Sequence, residues 1–390
     1  MASWNVHFGL RIEHESPALI RLVERAHALA SVIRDIPIPP YLQFRLDAIN
    51  IMRAVRGTTA IEGAQVSTEE VQKIIASPEG TTLPKTRERD EQEVKNAAVV
   101  MYYVANLVKK QPDCPVTQEL ICTIHKLTTT NIDYSNNVPG QYRSHPVNAG
   151  DYEPPASGDD VRRLMNEFTE WLNSPPALNW DPIIRALAAH FYLIGIHPFG
   201  DGNGRTSRAV ESFMLYQGKV NARGFYSLAN YYYEHRTDYI WHLNHARFNS
   251  ENNLTSFIMF GLTGLVDELQ DVHGQVLNEV NLISYRDFAR EKFQRNEGLG
   301  LGTKAGERLF HFLIALGRDP LPISQLTSRK GRAGSLYGKV SLRTIQRDIA
   351  FLRDNELIKI EDGAIMPNLE VMKQYTAPNE LEVLSEEEPK

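Results

Sequence analysis

His197-Pro198-Phe199-Gly200-Asp201-Gly202-Asn203-Gly204-Arg205-Thr206-Ser207-Arg208 joins two helical patterns. Before it runs the apolar Ala186–Ile196; after it, Ala209–Leu215 resumes a helix. Gly202 and Gly204 permit positive φ and a close backbone approach to a ligand. The N-terminus of the following helix points free N–H groups at the same place, and together these suit phosphate. Arg205 and Arg208 share one helical face and can clamp further phosphate oxygens. Asn203, Thr206 and Ser207 lie within the same nest. Asp201 is a hard oxygen ligand, the usual place for Mg²⁺ or Mn²⁺ beside phosphates. His197 is the one group there that titrates near neutrality, so it is the candidate to accept a hydroxyl proton. Phe199 is the apolar anchor. The set points to phosphoryl or nucleotidyl transfer onto a hydroxyl.

The rest of the chain frames this loop. A length of 390 residues allows two or three domains. Net charge of −6 rules out a chain-wide polyanion binder, so any nucleic-acid surface has to be local. Two cysteines, Cys114 and Cys122, fit neither a zinc site nor a disulfide scaffold. No basic leader opens the chain, and no apolar run approaches the roughly 20 residues of a bilayer span. The expectation is a cytoplasmic protein with no membrane contact.

Apolar spacing predicts helices over 15–35 and 41–57, separated by Pro37–Pro40. Ser67 with Glu70 predicts a capping box. Further helices are predicted over 88–111, 116–130, 158–173, 181–196, 205–217, 228–247 and 253–291. Residues 135–160 have a different texture, rich in Gly, Pro and Asn, which predicts a hairpin or irregular excursion between helices. The stretch 298–302 reads as a linker, and the tail after 378 as acidic and disordered. This gives a helical region 1–112, a core domain 113–296, a small domain 303–370 and a tail 371–390.

The loop matches the signature HxFx(D/E)GNGRxxR of the Fic family at every specified position, and the chain resembles that family. The resemblance implies a mainly α fold with a helical core and a β-hairpin flap. It implies ATP with Mg²⁺ or Mn²⁺ as cofactors and AMP transfer to Ser, Thr or Tyr of a target protein. By position, His197 resembles the catalytic base and Asp201 the metal ligand, with Asn203 supporting phosphates. Gly202 and Gly204 resemble the anion hole. Arg205 and Arg208 resemble the phosphate clamps, Arg208 toward the γ-phosphate. Residues 138–155 resemble the flap that holds the target by strand addition, with Val147, Asn148, Ala149 and Gly150 over the nucleotide.

Thr58-Thr59-Ala60-Ile61-Glu62-Gly63 is similar to the family's inhibitory motif (S/T)xxxE(G/N). The resemblance implies that Glu62 pairs with Arg208 and takes it from the γ-phosphate, from an inhibitory helix at about 57–63 with Thr58 on the same face. In some relatives this glutamate also supports AMP removal. Residues 227–239 resemble the adenine side, with Tyr239 a candidate to stack on the base; core packing is the alternative.

Residues 321–366 resemble a winged helix-turn-helix. Ser341 caps a helix whose apolar face is Leu342, Ile345, Ile349 and Leu352, and Asp362-Gly363 turns a two-strand wing. Arg329, Lys330, Arg332, Lys339, Arg343 and Arg347 form a basic patch, open to DNA or to protein docking, including a homodimer. The rival reading is a DNA-binding regulator whose core senses nucleotide. A milder rival keeps the fold and changes the nucleotide donor.

Overall fold

The computed structural model describes residues 2–3, 6–150, 152–221, 228–249, 253–295, 302–317 and 319–375. The chain divides into two compact units, Met1–His273 and Gly274–Lys390. This division falls inside a long helix, upstream of the expected linker at 298–302, most of which lies outside the described residues, as does the acidic tail.

In the first unit, a short strand β1 (Ala2–Ser3) precedes α1 (Pro17–Asp35) and α2 (Pro40–Ile61). Both helices open on proline, whose missing N–H is no loss in a first turn. The expected inhibitory helix is not a separate element: Thr58 belongs to the last turns of α2 and Glu62 is its C-cap. α3 (Thr68–Ala76) opens on the expected capping box, with Ser67 accepting from the Glu70 N–H and the Glu70 carboxylate accepting from Ser67. Then come α4 (Glu88–Lys110) and α5 (Gln118–Thr129). After the flap strand β2 (Tyr152–Glu153) come α6 (Gly158–Leu172) and the short α7 (Pro175–Leu178). α8 (Pro182–Ile196) and α9 (Asn203–Gln217) flank the glycine loop. The single helix expected over 228–247 is two, α10 (Leu228–Glu234) and α11 (Arg236–Asn244), because His235 leaves helical geometry at φ −112°, ψ 38°. A π-helical turn, His245–Asn249, leads toward α12 (Thr255–Arg295).

α8 is the axis of the unit. Asp181 caps it through the Ile183 N–H, and Pro182 sits at its first position. Apart from Arg185 and His190 it is apolar, and most of its residues are buried, the mark of a helix in the middle of a core. Burial of each Ile, Leu or Phe on it stabilises by about 1.5–3 kcal/mol. It packs on α6 and α9, while α4 packs on α2, α5 and α9, and α2 on α10. The loop between α8 and α9 is thereby held among α2, α4 and α5.

The second unit contains α13 (Lys304–Ala315), β3 (Leu321–Pro322), α14 (Ile323–Thr327), α15 (Gly331–Ser335), α16 (Leu342–Asp354), β4 (Ile358–Glu361) and β5 (Ala364–Pro367). The strands form an antiparallel sheet in the order β3-β5-β4. Asp362 and Gly363 both take positive φ, 48° and 75°, as a two-residue D-G hairpin turn requires. Ser341 caps α16 through the Thr344 N–H. Ile345, Ile349 and Leu352 are buried, but Leu342, counted above with their face, is 54% exposed at the first position of the helix, a turn before the core begins. Among the described residues, no helix is long and apolar enough to cross a membrane.

Candidate active site

α8 stops where His197 turns left-handed, at φ 52° and ψ 58°, its N–H still bonded to the Leu193 carbonyl at 3.1 Å. That geometry costs a non-glycine residue on the order of 1–2 kcal/mol. Arg143, 3% exposed, offsets it: its Nε donates to the His197 carbonyl at 2.7 Å. The His197 Nδ1 lies 3.2 Å from the Ile194 carbonyl. A carbonyl only accepts, so Nδ1 carries the ring proton and Nε2 keeps its lone pair. Burial, with the nearby cations Arg247 and Arg143, pushes the imidazole pKa down to about 4, against the Ile194 contact and Glu62. His197 is therefore a neutral acceptor at pH 7.

The loop is braced from beneath. Phe199 is fully buried and stacks on His125 with centroids 3.6 Å apart. The His125 Nδ1 accepts the Gly140 N–H at 2.9 Å, so its Nε2 donates to the Asp201 carbonyl at 3.0 Å. Both main-chain groups of Phe199 bond the Asn203 side chain at 2.9 Å. Asn203 therefore supports the loop's backbone, and its amide is already engaged there. The Ser207 hydroxyl turns back to the Asn203 carbonyl at 2.9 Å and Thr206 is fully buried, so their side chains face the helix and the core, where the sequence reading had placed them in the nucleotide nest.

Gly202 has φ 74°, and a Cβ on it would lie 2.8 Å from Thr129. Gly204 is helical, and the ends of two long side chains lie close against it. A Cβ there would meet the Glu62 carboxylate oxygen at 2.3 Å and the Arg208 Nη1 at 3.0 Å. The Glu62 carboxylate thus rests on the first turn of α9, the positive end of the helix dipole, where a phosphate is also favoured.

Among the described residues, the hydrogen bonds of the Arg208 guanidinium run to the end of α2. Its Nε donates to the Thr58 hydroxyl at 2.9 Å, and its Nη2 donates to the Thr58 carbonyl at 3.0 Å and to Glu62 Oε1 at 2.7 Å. Burial disfavours the Glu62 anion, but Arg208 and Arg205 outweigh it and hold the carboxyl below its ordinary range. Arg205 donates to Asp201 Oδ1 at 3.1 Å and to the Tyr134 hydroxyl at 2.7 Å. Asp201 is 39% exposed. Among the described residues no group of three His, Cys, Asp or Glu side chains is placed to hold a metal. A lone carboxylate still fits Mg²⁺, which keeps waters and takes one or two carboxylates with substrate phosphates.

The flap hairpin takes its shortest form. Ala149 and Tyr152 exchange N–H···O bonds at 3.0 and 3.2 Å around Gly150, φ 63°. Prolines 139, 146, 154 and 155 lack the N–H a longer ladder needs. Val147, Ala149 and their neighbours Asn148 and Gly150 lie on the half-buried to exposed face of the flap. β1 pairs in parallel with β2, Ala2 opposite Tyr152 and Ser3 opposite Glu153. Arg143 pins both arms of the flap, donating to the His145 and Pro155 carbonyls at 2.8 and 2.7 Å.

Tyr239 corrects the stacking expectation. It is 4% exposed, its ring stacks on Tyr232, and its hydroxyl bonds His190 at 2.9 Å. His190 in turn meets Glu211, which accepts from Tyr232 at 2.9 Å. This is a closed polar network inside the core, the alternative the sequence had left open. Ser227 lies outside the described residues. Sequence reasoning missed His125, Tyr134 and Glu93, and gave Arg143 no role.

The Fic/DOC family profile matches residues 115–215. The chain is 34% identical over 163 residues to protein adenylyltransferase Fic of Aedes aegypti, a match covering 42% of this chain and 30% of that one. It is 31% identical over 159 residues to protein adenylyltransferase fic-1 of Caenorhabditis elegans, covering 40% and 30%. The chain thus spans under a third of the length of the curated relatives it matches. A Fic family protein from Desulfovibrio desulfuricans superposes with a TM-score of 0.57 at 18% identity, covering 92% of this chain and 98% of that one, a likeness of fold. The segment that matches the Fic/DOC family model contains the glycine loop, His197 and both of its arginines.

Proposed function

We propose that this chain transfers AMP from ATP to a Ser, Thr or Tyr hydroxyl of a target protein, and that Glu62 restrains the transfer. The observation that carries the reading is the proton-free Nε2 of His197, whose ring interacts electrostatically with a Glu62 carboxylate that rests on the first turn of α9. His197 Nε2 takes the target hydroxyl's proton. The hydroxyl oxygen attacks the α-phosphorus, the bond to the β-phosphate bridge breaks, and pyrophosphate leaves with its electron pair. The new bond is a phosphodiester. Arg205, Arg208 and the α9 amides hold the charge on the phosphates. Asp201 is the residue that would hold Mg²⁺, which supplies further neutralisation of phosphate charge. The edge of the flap takes Ala2–Ser3 as an added strand in this structure, the same mode of pairing by which a target segment would be held there. The matched relatives are named protein adenylyltransferases, which supports ATP as donor.

The test is labelled ATP, GTP, UTP and a choline nucleotide compared side by side on the Glu62→Gly protein in lysate, followed by mass spectrometry. AMP on Ser, Thr or Tyr is the expected result. Label from another nucleotide alone refutes the donor, and labelling that survives His197→Ala refutes the base.

One observation favours a second role for the small unit, read as a winged helix. Lys330, Lys339, Arg343 and Arg347 are exposed around the start of α16, while Asp348 turns inward to Arg308 at 2.8 Å. Such a surface suits DNA phosphates. Anisotropy with duplex DNA should show salt-dependent binding that Arg343→Glu weakens; binding insensitive to salt and to that change rejects it.

A further inference from the structure

α4 lies outside the matched segment 115–215, yet its first turns reach the phosphate loop. Glu93 is 5% exposed. Three groups converge on its Oε1: the Tyr134 hydroxyl donates at 3.1 Å, Arg89 Nε donates at 3.2 Å, and Arg205 Nη1 pairs at 3.3 Å. The Tyr134 hydroxyl in turn accepts from Arg205 Nη2 at 2.7 Å. Arg205 is gripped twice, directly and through the phenol. The Arg89 guanidinium lies 4.5 Å over the Tyr134 ring and closes the cluster.

The chemistry makes this pairing mutual. A buried carboxylate that loses its cation is left with a desolvation cost of several kcal/mol. A free arginine side chain also carries about 2 kcal/mol of rotamer entropy, which a preset guanidinium does not lose again on binding. Arg205 is itself 4% exposed, and its Nε has no hydrogen-bond partner among the described residues. Its Nη1 likewise makes no hydrogen bond there, so the direct contact with Glu93 is an ion pair and the hydrogen-bonded half of the grip runs through the Tyr134 hydroxyl.

We propose that Glu93 is the positioning residue for Arg205, fixing its guanidinium against the first turn of α9 so that it meets the polyphosphate, with Tyr134 carrying the second half of the grip. This rests on the nucleotide reading above. Glu93 touches no substrate; it acts through Arg205.

The experiment measures binding of ATP, tripolyphosphate and adenosine by calorimetry to three full-length proteins. These are Glu62→Gly, Glu62→Gly with Glu93→Gln, and Glu62→Gly with Tyr134→Phe. Losing alignment of one charge-assisted contact is expected to weaken ATP and tripolyphosphate about tenfold in the Glu93→Gln protein. The Tyr134→Phe protein should lose about threefold, and adenosine should stay within about twofold in both. A purely structural role would weaken adenosine in step with ATP, and that result overturns the proposal. Unchanged ATP and tripolyphosphate binding overturns it as well. If Glu93→Gln does not fold, Tyr134→Phe decides by the same ratio. AMP transfer by the Glu62→Gly parent, followed in the same samples, judges the activity separately: a parent that binds ATP but never transfers AMP refutes the activity, while the binding ratio still judges Glu93.

Discussion

Replacing Glu62 with glycine removes the carboxylate that lies 2.7 Å from Arg208 Nη2 and rests on Gly204. A hydrogen bond to a charged partner contributes about 1.5–3 kcal/mol. The Glu62 side chain is 35% exposed, so water screens part of this and the lower range applies, about 1–2 kcal/mol. In the proposed function, that free energy is what holds Arg208 away from the γ-phosphate. Its removal shifts the arginine toward the nucleotide by about 5- to 30-fold. Initial rates of AMP transfer to protein at subsaturating ATP should rise by this factor. Glycine at this position also loosens the C-cap of α2, at about 0.5–1 kcal/mol, so Glu62→Gln serves as the control that keeps the backbone. Gln retains an acceptor without the charge and should give an intermediate rate. An unchanged or lower rate in both variants, with ATP still bound, would refute the competition between carboxylate and phosphate.

Thr58→Ala removes the acceptor of Arg208 Nε and should raise transfer a few-fold, read in the same assay. Arg143→Ala orphans the His145, Pro155 and His197 carbonyls; chemical denaturation should register about 2–4 kcal/mol of lost stability, with transfer falling as the flap detaches. The folded pKa of His197, about 4, lies below its ordinary 6.5. The unfolded chain therefore takes up the proton first, and the stability present above pH 6.5 is lost as pH falls toward 4. Melting temperature should drop over that window, and the acid limb of the rate profile should fall near 4, where an inflection near 6.5 would contradict the buried neutral imidazole.

The loop was legible because its chemistry is contiguous: the glycines, Asp201, His197 and both arginines occur within one helix–loop–helix joint, and their types alone specify an anion seat. The Ser67–Glu70 cap and the Asp362-Gly363 turn were legible for the same reason, since each is set by residues a few positions apart. The Arg208 pairing with Thr58 and Glu62 came from motif resemblance, because nothing local joins the end of α2 to α9. Glu93 gave no signal: a glutamate in the polar first half of α4 looks like a solvated face until α4 packs on α9 and buries it. Tyr239 misled for the converse reason. An aromatic near a nucleotide loop reads equally as a stacking platform or as core, and only the partners His190 and Tyr232 decide. Asn203 and Ser207 sit in the loop in sequence, but their side chains are engaged by its own backbone.

The most direct measurement compares ATP radiolabelled at the α-phosphate with ATP radiolabelled at the γ-phosphate, using the Glu62→Gly protein and its His197→Ala derivative. The account predicts protein-bound label from the α position only, and none once His197 is replaced. Label from the γ position, or α label that persists without the imidazole, would contradict it.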